Sequence, residues 1–185
     1  GKMQRKDFIT FVTLGEGSSN QGDFHEGANF AGVHKLPVII MVENNQYAIS
    51  VPVERQLACA KVSDRAIGYG MPGVTVDGKN PLEVYKVVKE AAERARRGEG
   101  PCLIETLTYR LTAHSSDDDH RQYRTTEDIE EGRAKDPILL FKSYLIEMAV
   151  ATEHELETLN DKILEIVNDA TDYAEAAPYA TPEHA

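Results

Sequence analysis

The chain has 185 residues, a formal net charge of −11 at pH 7 and 41% hydrophobic residues, which suits one domain with a buried core. From Thr152 onward nine acidic residues stand against one base, Lys162, whereas the preceding part is nearly balanced. This distribution argues against nucleic acid or an anionic membrane as the partner, and we interpret the acidic end as a solvated helix face.

The sequence contains no signal peptide and no apolar run long enough to span a bilayer. Cys59 and Cys102 lack the spacing of a metal site, and we interpret them as reduced thiols of a cytoplasmic protein. The chain starts at Gly1 without an initiator methionine, close to the first predicted strand, so we expect it to be a fragment of a longer protein.

The first part of the chain predicts a strand, a turn, a helix and a second strand. Residues 8–14 are apolar and β-branched, as in a buried strand. Residues 22–33 form a helical pattern that ends at Leu36–Pro37, and residues 38–42 are a second apolar run. This order indicates a βαβ unit with two parallel strands.

The middle of the chain predicts further strands on either side of one long helix. We expect residues 46–60 to be irregular, residues 61–69 to be a short helix and residues 74–76 to be a short strand. Residues 102–107 have the composition of a third buried strand.

The long helix has clear start and stop signals. Asn80 is a typical N-cap, Pro81 suits the first helical position, and we expect the helix to run to about Arg97. Its spacing predicts an inward face of Leu82, Tyr85, Val88, Ala92 and Ala95.

The last part of the chain predicts three helices, over residues 126–133, 137–148 and 153–174. In the third, we expect one apolar stripe to pack inward, with a groove for a partner as the alternative; the stripe is formed by Leu156, Leu159, Ile163, Ile166 and Val167. We therefore predict an α/β fold, a parallel sheet flanked by helices with C-terminal helices, as one domain over residues 1–175 and a flexible tail over 176–185.

Polar residues follow the first two strands where each strand ends. Gly15, Glu16 and Gly17 come after the first strand, and Asn45 and Tyr47 come after the second. The carboxyl edge of a parallel sheet is where ligands bind, and glycines let backbone amides approach a phosphate. Carboxylate, amide and carbonyl oxygens are ligands that Mg²⁺ prefers. The pattern predicts a diphosphate held through Mg²⁺, with a simple tight turn as the alternative.

Two other phosphate motifs do not fit the glycine segment. The sequence after Gly17 lacks the third glycine and the later acidic residue of a dinucleotide fingerprint. Asp23 follows Gly22 where a P-loop requires lysine. A nucleotide-binding oxidoreductase is therefore disfavoured.

A polar segment with His114, Ser115 and three successive aspartates follows the third strand. Because that strand is predicted to be parallel to the others, the segment belongs at the same edge. A histidine there is able to move a proton. The alternatives are a structural histidine and a solvated acidic loop, while a Ca²⁺ loop lacks the required later residues.

These motifs together resemble one family, the alpha subunits of the thiamine-dependent decarboxylase component of 2-oxo acid dehydrogenase complexes. Gly-acid-Gly followed about thirty residues later by Asn-Asn is similar to the thiamine diphosphate motif. Glu16 stands where most such enzymes have Asp. The residues that carry the resemblance are 15–17, 22–30, 36–37, 43–50, 76–78, 103–106, 109–110, 114–119 and 123–124. The run His114–Asp119 looks more like that of the branched-chain members, the 2-oxoisovalerate dehydrogenases.

The resemblance implies a thiamine diphosphate-binding fold and a role for each matching position. Glu16, Asn45 and the Tyr47 carbonyl would hold Mg²⁺, and Gly15, Glu16, Gly17 and Ser18 would line the diphosphate. His114 would stand beside the reacting carbon with Ser115, which matches a serine that animal relatives phosphorylate.

The resemblance also implies a reaction and partners. The reaction is oxidative decarboxylation of a branched-chain 2-oxo acid, with transfer of the acyl group to a lipoyl group on the acyltransferase component. A beta subunit would complete the cofactor site in a heterotetramer. The alternatives are the same chemistry on pyruvate or acetoin, and an inactive fragment that only docks on a beta subunit. We expect the isolated chain to be inactive.

Overall fold

The computed structural model describes residues 7–184. The chain divides into two compact units, one up to Pro137 and one from Ile138 onward. The first unit contains the sheet and the second contains the C-terminal helical segment. The domain of residues 1–175 and the flexible tail of residues 176–185 stay predictions.

Over residues 7–184 the strands are β1 (Thr10–Gly15), β2 (Val38–Asn44), β3 (Tyr47–Ala48), β4 (Val51–Pro52), β5 (Gly73–Asp77) and β6 (Cys102–Leu107). Four of them form a parallel sheet, in the order β1, β2, β6, β5. A separate antiparallel hairpin is formed by β3 and β4, within the stretch that we expected to be irregular.

Helices follow the predicted positions closely. Within the described residues the α-helices are α1 (Gly22–Val33), α2 (Pro81–Arg96), α3 (Thr126–Ala134), α4 (Pro137–Glu147) and α5 (Glu153–Ala176). Short 3₁₀ helices cover Ser18–Asn20, Val53–Arg55, Val62–Tyr69, His120–Gln122 and Pro182–His184. The predicted α/β class, with a parallel sheet flanked by helices, is confirmed.

The core lies on both faces of the two central strands. Ile40, Val42 and Leu103 pack with α1 and the 3₁₀ helix Val62–Tyr69, and Ile39 belongs to a second cluster that includes α2. Alternate residues of a strand point to opposite faces, so a strand covered on both faces is apolar throughout. This burial fixes the strand ends from which the site is built.

Strand β1 is the exception to the predicted burial. Its Phe11 is 46% exposed, and Phe8 and Val12 are exposed as well. In the described part of the chain β1 is one of the two edge strands of the sheet, with β2 as its one neighbour. The expectation of a buried first strand was therefore wrong for this chain, because composition does not reveal whether a strand is central.

Helix α2 begins as predicted but faces the sheet differently. The Asn80 side chain accepts hydrogen bonds from the N–H groups of Leu82 and Glu83, which makes it the N-cap. Leu82 and Tyr85, predicted to be inward, are exposed, with Tyr85 at 66%. The face on the sheet is rotated instead to Val84, Val87, Val88, Ala91, Ala92 and Ala95.

Helix α5 is exposed except at Leu156, which is half-buried. A capping box at Thr152 and Glu155 starts it, but none of its residues is buried. The predicted inward packing of its apolar stripe was therefore wrong in the described structure: Leu159 and Ile163 are at least half exposed. In residues 7–184, none of the helices is both long and apolar enough to cross a membrane.

Candidate functional site

The carboxyl ends of β1, β2 and β6 lie side by side at one edge of the sheet. Gly15 is level with Glu43, and Asn44 is level with Leu107. Glu16 directly follows Gly15 and Asn45 directly follows Asn44, so parallel pairing brings these two residues to one edge. The segment with His114 comes after Leu107, beyond the end of β6 at the same edge. Ligands of α/β proteins bind at this edge.

The two glycines of the first segment differ in their surroundings. A Cβ added at Gly17 would lie 2.6 Å from Cβ of Ala48, so only glycine lets hairpin β3–β4 approach. A Cβ added at Gly15 would meet nothing within 4 Å, which leaves open space over the strand end. Ser18 is exposed and opens the 3₁₀ turn that follows. This open space next to backbone N–H groups fits a phosphate group.

Glu16 is a buried carboxylate without a cation. The residue is 1% exposed. It accepts long hydrogen bonds from the Asn45 N–H (3.3 Å) and Gln56 Nε2 (3.4 Å). None of the ion pairs found over residues 7–184 involves Glu16. Burying an ionised carboxylate without a cation is unfavourable, so this position fits a bound cation.

Asn45 lies in the tight turn between β2 and β3, and Tyr47 is the first residue of β3. Oδ1 of Asn45 accepts a hydrogen bond from the Tyr47 N–H at 3.0 Å. Gln46 between them has a left-handed φ of 73°, which costs a residue other than glycine some conformational energy. Asn44 supports this turn, because its Oδ1 accepts from both the backbone N–H and Nε2 of Gln46 at 2.9 Å. The turn therefore holds Asn45 next to Glu16, which its backbone N–H contacts.

This donor set fits Mg²⁺ better than a softer metal. Among the described residues there is no group of three or more His, Cys, Asp or Glu side chains suited to a metal. The candidate ligands are instead one carboxylate, one amide oxygen and one backbone carbonyl, from Glu16, Asn45 and Tyr47. Mg²⁺ takes few protein oxygens and completes its shell with phosphates and water. The set therefore fits a magnesium–diphosphate pair.

The loop with His114 is connected to the β3–β4 hairpin by Arg110. Nη2 of Arg110 donates to the Ile49 carbonyl (2.9 Å) and to the Tyr123 hydroxyl (2.7 Å). The Tyr123 hydroxyl donates to Oδ2 of Asp118, and the backbone N–H of His114 donates to the same oxygen at 2.8 Å. These bonds shape the loop around the Asp118 carboxylate.

The pKa of Asp118 is lowered, first by the Tyr123 hydrogen bond and next by the His114 N–H. The side chains of His114 and Ser115 are exposed. In residues 7–184 no hydrogen bond or ion pair joins them to Glu16, Asn45 or Tyr47. The structure thus brings the metal candidates together and leaves the two loop side chains open to a ligand.

Arg124 connects the end of the loop with His114 to Tyr47, Tyr109 and Arg110. Its buried guanidinium lies over the Tyr47 ring (4.6 Å) and the Tyr109 ring (4.9 Å), and its Nη1 donates to the Arg110 carbonyl at 2.7 Å. Nε lies 4.0 Å from the Asp128 carboxylate, beyond hydrogen-bond distance. Cation–π contacts of this kind stabilise a desolvated arginine.

Sequence reasoning missed three residues that support the site. Gln56 contacts Glu16, Arg65 contacts the turn after Gly17, and Glu105 holds Asn44. Gln56 and Arg65 lie in segments without a strong pattern. Glu105 did carry a signal, since a charged residue in the middle of a buried strand needs partners.

Comparisons with known proteins agree with this arrangement. The family model described as "Dehydrogenase E1 component" matches residues 1–183. The chain is 65% identical over 185 residues to the 2-oxoisovalerate dehydrogenase subunit alpha of Bacillus subtilis (strain 168), covering all of this chain and 56% of that relative.

Two further relatives are more distant. The 3-methyl-2-oxobutanoate dehydrogenase subunit alpha of Mycobacterium tuberculosis (strain ATCC 25618 / H37Rv) is 41% identical over 94% of this chain and 47% of its own length. The pyruvate dehydrogenase E1 component subunit alpha of Bacillus subtilis (strain 168) is 43% identical over 96% of this chain and 48% of its own length. The chain therefore spans about half the length of the curated relatives that it matches.

Proposed function

Because the chain belongs to the dehydrogenase E1 component family, we propose that it forms the cofactor-binding part of the alpha subunit of a branched-chain 2-oxo acid dehydrogenase. The observation that carries this proposal is the buried Glu16 carboxylate, which contacts Asn45 and has no cation among the described residues. That pair supports a divalent ion at the carboxyl edge of the sheet, where a diphosphate would reach it.

We assign the binding roles as follows. Glu16, Asn45 and the Tyr47 carbonyl hold Mg²⁺, and the backbone of Gly15 to Ser18 lines the diphosphate of thiamine diphosphate. The open space at Gly15 and the approach of Ala48 to Gly17 support this placement. The test is calorimetry of the full-length subunit assembled with its beta subunit, where Mg²⁺ and thiamine diphosphate are expected to bind only together.

Thiamine diphosphate, when bound, supplies the carbanion chemistry that decarboxylates a 2-oxo acid. Our proposal for this chain's residues concerns the loop after β6. His114 orients the substrate or the incoming lipoyl group and moves a proton at its ring, and Ser115 lies beside it. The exposure of both side chains, on a loop held by Asp118 and Arg110, supports this role.

The substrate that we propose is a branched-chain 2-oxo acid. The identity of 65% to a protein named 2-oxoisovalerate dehydrogenase, against 43% to one named pyruvate dehydrogenase, supports this choice. Pyruvate and acetoin are the alternatives. The deciding experiment compares kcat/KM for 2-oxoisovalerate and pyruvate in the reconstituted complex, and a higher value for pyruvate would contradict the assignment.

The partners that we propose are a beta subunit, in a heterotetramer, and a lipoyl acyltransferase component. The second candidate function is that the chain alone only docks on the beta subunit, which its coverage of about half of its relatives supports. Calorimetry of residues 1–185 alone with Mg²⁺ and thiamine diphosphate tests this. Tight binding of the cofactor by the chain alone would contradict a site that the two subunits share, and it would favour a cofactor site formed by this chain alone.

We also propose a cytoplasmic location. Cys59 and Cys102 are both free, and burial raises the pKa of the Cys102 thiol, which keeps it protonated and unreactive. Free thiols are typical of a reducing compartment. Alkylation and mass spectrometry of protein taken directly from cells would test this, and a Cys59 that is oxidised in cells would contradict it.

A further inference from the structure

Glu105 is a buried carboxylate at the centre of the sheet that the roles above leave unused. The residue is 1% exposed and lies in β6, level with Val42 of β2 and Thr75 of β5. Over residues 7–184 it takes part in none of the ion pairs. Its charge is instead surrounded by hydrogen-bond donors, and those donors come from both sides of the candidate site.

The first side is the turn after β2. Oε1 of Glu105 accepts a hydrogen bond from Nδ2 of Asn44 at 2.7 Å. This bond fixes the orientation of the Asn44 amide, so that its oxygen faces the two donors of Gln46. Since Asn45 lies between these residues, Glu105 holds the turn that carries the proposed Asn45 and Tyr47 ligands.

The second side is the 3₁₀ helix Val62–Tyr69. Oε2 of Glu105 accepts from the Ser63 N–H at 3.2 Å and from Oγ1 of Thr75 at 3.0 Å. Ser63 and Thr75 are also joined to each other, by a hydroxyl–hydroxyl bond of 2.7 Å. The start of this helix is therefore fixed to the sheet by the same carboxylate.

Arg65 extends from that helix to the diphosphate turn. Its Nη1 donates to the carbonyl (2.5 Å) and the hydroxyl (2.9 Å) of Ser19, and its Nη2 donates to Oδ1 of Asn20 at 2.6 Å. The Ser19 hydroxyl in turn donates to the Glu16 carbonyl at 2.5 Å. A continuous chain of contacts thus runs from Glu105 through the helix to Glu16.

We propose that Glu105 is a positioning residue that fixes the separation of the two halves of the magnesium–diphosphate site. One oxygen holds the Asn45 side and the other holds, through Ser63 and Arg65, the Glu16 side. The inference rests on the proposed function, since it names what sets the geometry of that same site. Mg²⁺ requires near-ideal octahedral geometry, so a small change in this separation weakens binding.

The variant Glu105→Gln tests the carboxylate with little change in volume. Three donors point at the two oxygens, and glutamine replaces one oxygen by another donor. If the new NH₂ faces Asn44, that amide must turn and present its own NH₂ to the donors of Gln46. If the new NH₂ faces Ser63, two donors meet, because the Ser63 backbone N–H cannot turn away. Either orientation leaves a buried donor unsatisfied and moves one side of the site.

The experiment measures Mg²⁺ affinity by calorimetry, with thiamine diphosphate present, in the full-length subunit assembled with its beta subunit. We expect Glu105→Gln to weaken Mg²⁺ binding about 10-fold, as supporting residues of metal sites do. The control is Ile104→Val, a neighbouring buried position on the opposite face of β6. We expect Ile104→Val to lower the melting temperature and to leave the Mg²⁺ affinity unchanged. This result would show that a general loss of stability does not weaken Mg²⁺ binding, as the positioning role of Glu105 requires.

The outcomes separate the two proposals. Wild-type protein that binds neither Mg²⁺ nor thiamine diphosphate would contradict the proposed function and the inference with it. Wild-type binding, together with unchanged Mg²⁺ affinity and a lowered melting temperature in Glu105→Gln, would overturn the inference alone. If Glu105→Gln does not assemble, Thr75→Val removes one donor from the same carboxylate, and we expect about 3-fold weaker Mg²⁺ binding. An unchanged affinity in that variant overturns the inference as well.

Discussion

The backbone N–H of Asn45 donates to the carboxylate of Glu16 over 3.3 Å, although 29 residues separate them in the chain. The contact exists because β1 and β2 are parallel neighbours whose ends are level, with Gly15 opposite Glu43. Amide donors alone surround the Glu16 carboxylate in the described structure. A buried carboxylate without a positively charged partner is suited to bind a cation. Its replacement by a neutral residue should therefore raise the free energy of unfolding and lower the affinity for Mg²⁺.

Glu16→Gln is expected to raise the free energy of unfolding of the cofactor-free protein by about 1 kcal/mol, because it removes a buried charge that has no cation. The same change is expected to weaken Mg²⁺ binding by about 100-fold or more, because it removes the one charged ligand that we propose for the ion. Urea unfolding without cofactor and calorimetry with Mg²⁺ and thiamine diphosphate measure the two effects.

Glu16→Asp is the matched control, since it retains the charge on a shorter side chain. We expect it to bind Mg²⁺ more tightly than Glu16→Gln does. Equal loss of Mg²⁺ binding in both variants would show that shape rather than charge matters at this position, and it would count against Glu16 as a metal ligand.

Gly17→Ala is expected to lower the free energy of unfolding by about 2 kcal/mol, the usual cost of inserting a methyl group into a packed contact. The new Cβ would lie 2.6 Å from Cβ of Ala48, so hairpin β3–β4 must shift. Thermal unfolding measures the loss. The double variant with Ala48→Gly should recover most of it, and no recovery would contradict the proposed contact.

Gly15→Ala separates packing from binding at the neighbouring glycine. Because an added Cβ meets no atom within 4 Å, we expect the free energy of unfolding to change by less than about 0.5 kcal/mol. The methyl group would instead occupy space proposed for the diphosphate, so the affinity for thiamine diphosphate should fall. Unchanged affinity would place the diphosphate elsewhere.

Much of this site was predictable because parallel strands deliver the residues after them to one edge. Glu16 and Asn45 needed only two apolar runs, a helix between them and the βαβ rule. The Asn80 cap and the bounds of α1 were equally local, since both depend on residues within one helical turn.

Other features depended on contacts that no local pattern encodes. Glu105 and Asn44 are 61 residues apart, and Arg65 reaches Ser19 across 46 residues. The exposure of Phe11 depends on the place of β1 in the sheet, which its composition does not contain. Tyr85 was misassigned because a helix with many apolar residues has several faces that would fit a sheet.

Asp118→Asn should loosen the loop that carries His114. The Tyr123 hydroxyl and the His114 N–H lower the pKa of Asp118, so its ionised form is the one the loop holds. A group with a lowered folded-state pKa contributes stability above its unfolded pKa of about 3.9, and loses it as the pH falls through the folded-state pKa. At neutral pH the contribution is therefore complete and constant.

We expect trypsin to cleave Asp118→Asn after Arg121 on the order of 10-fold faster than the wild type, because local opening controls cleavage. The ratio of the two rates should stay constant from about pH 6 to pH 8. Asp117→Asn, at an exposed neighbour, is the control and should cleave like the wild type. A ratio that varies over this range would mean that another group holds the loop.

His114→Ala tests whether the exposed histidine acts in the reaction or only shapes its loop. The loop contact of this residue is made by its backbone N–H, which donates to Asp118 at 2.8 Å, so alanine preserves it. We expect kcat for 2-oxoisovalerate in the assembled complex to fall by about 100-fold or more, because a positioned proton-transfer group is lost. The affinity for Mg²⁺ and thiamine diphosphate, measured by calorimetry, should stay near that of the wild type. Ser116→Ala, an exposed neighbour, serves as the control and should retain turnover. Weaker cofactor binding with normal turnover at saturating cofactor would assign His114 to the cofactor rather than to the reacting groups.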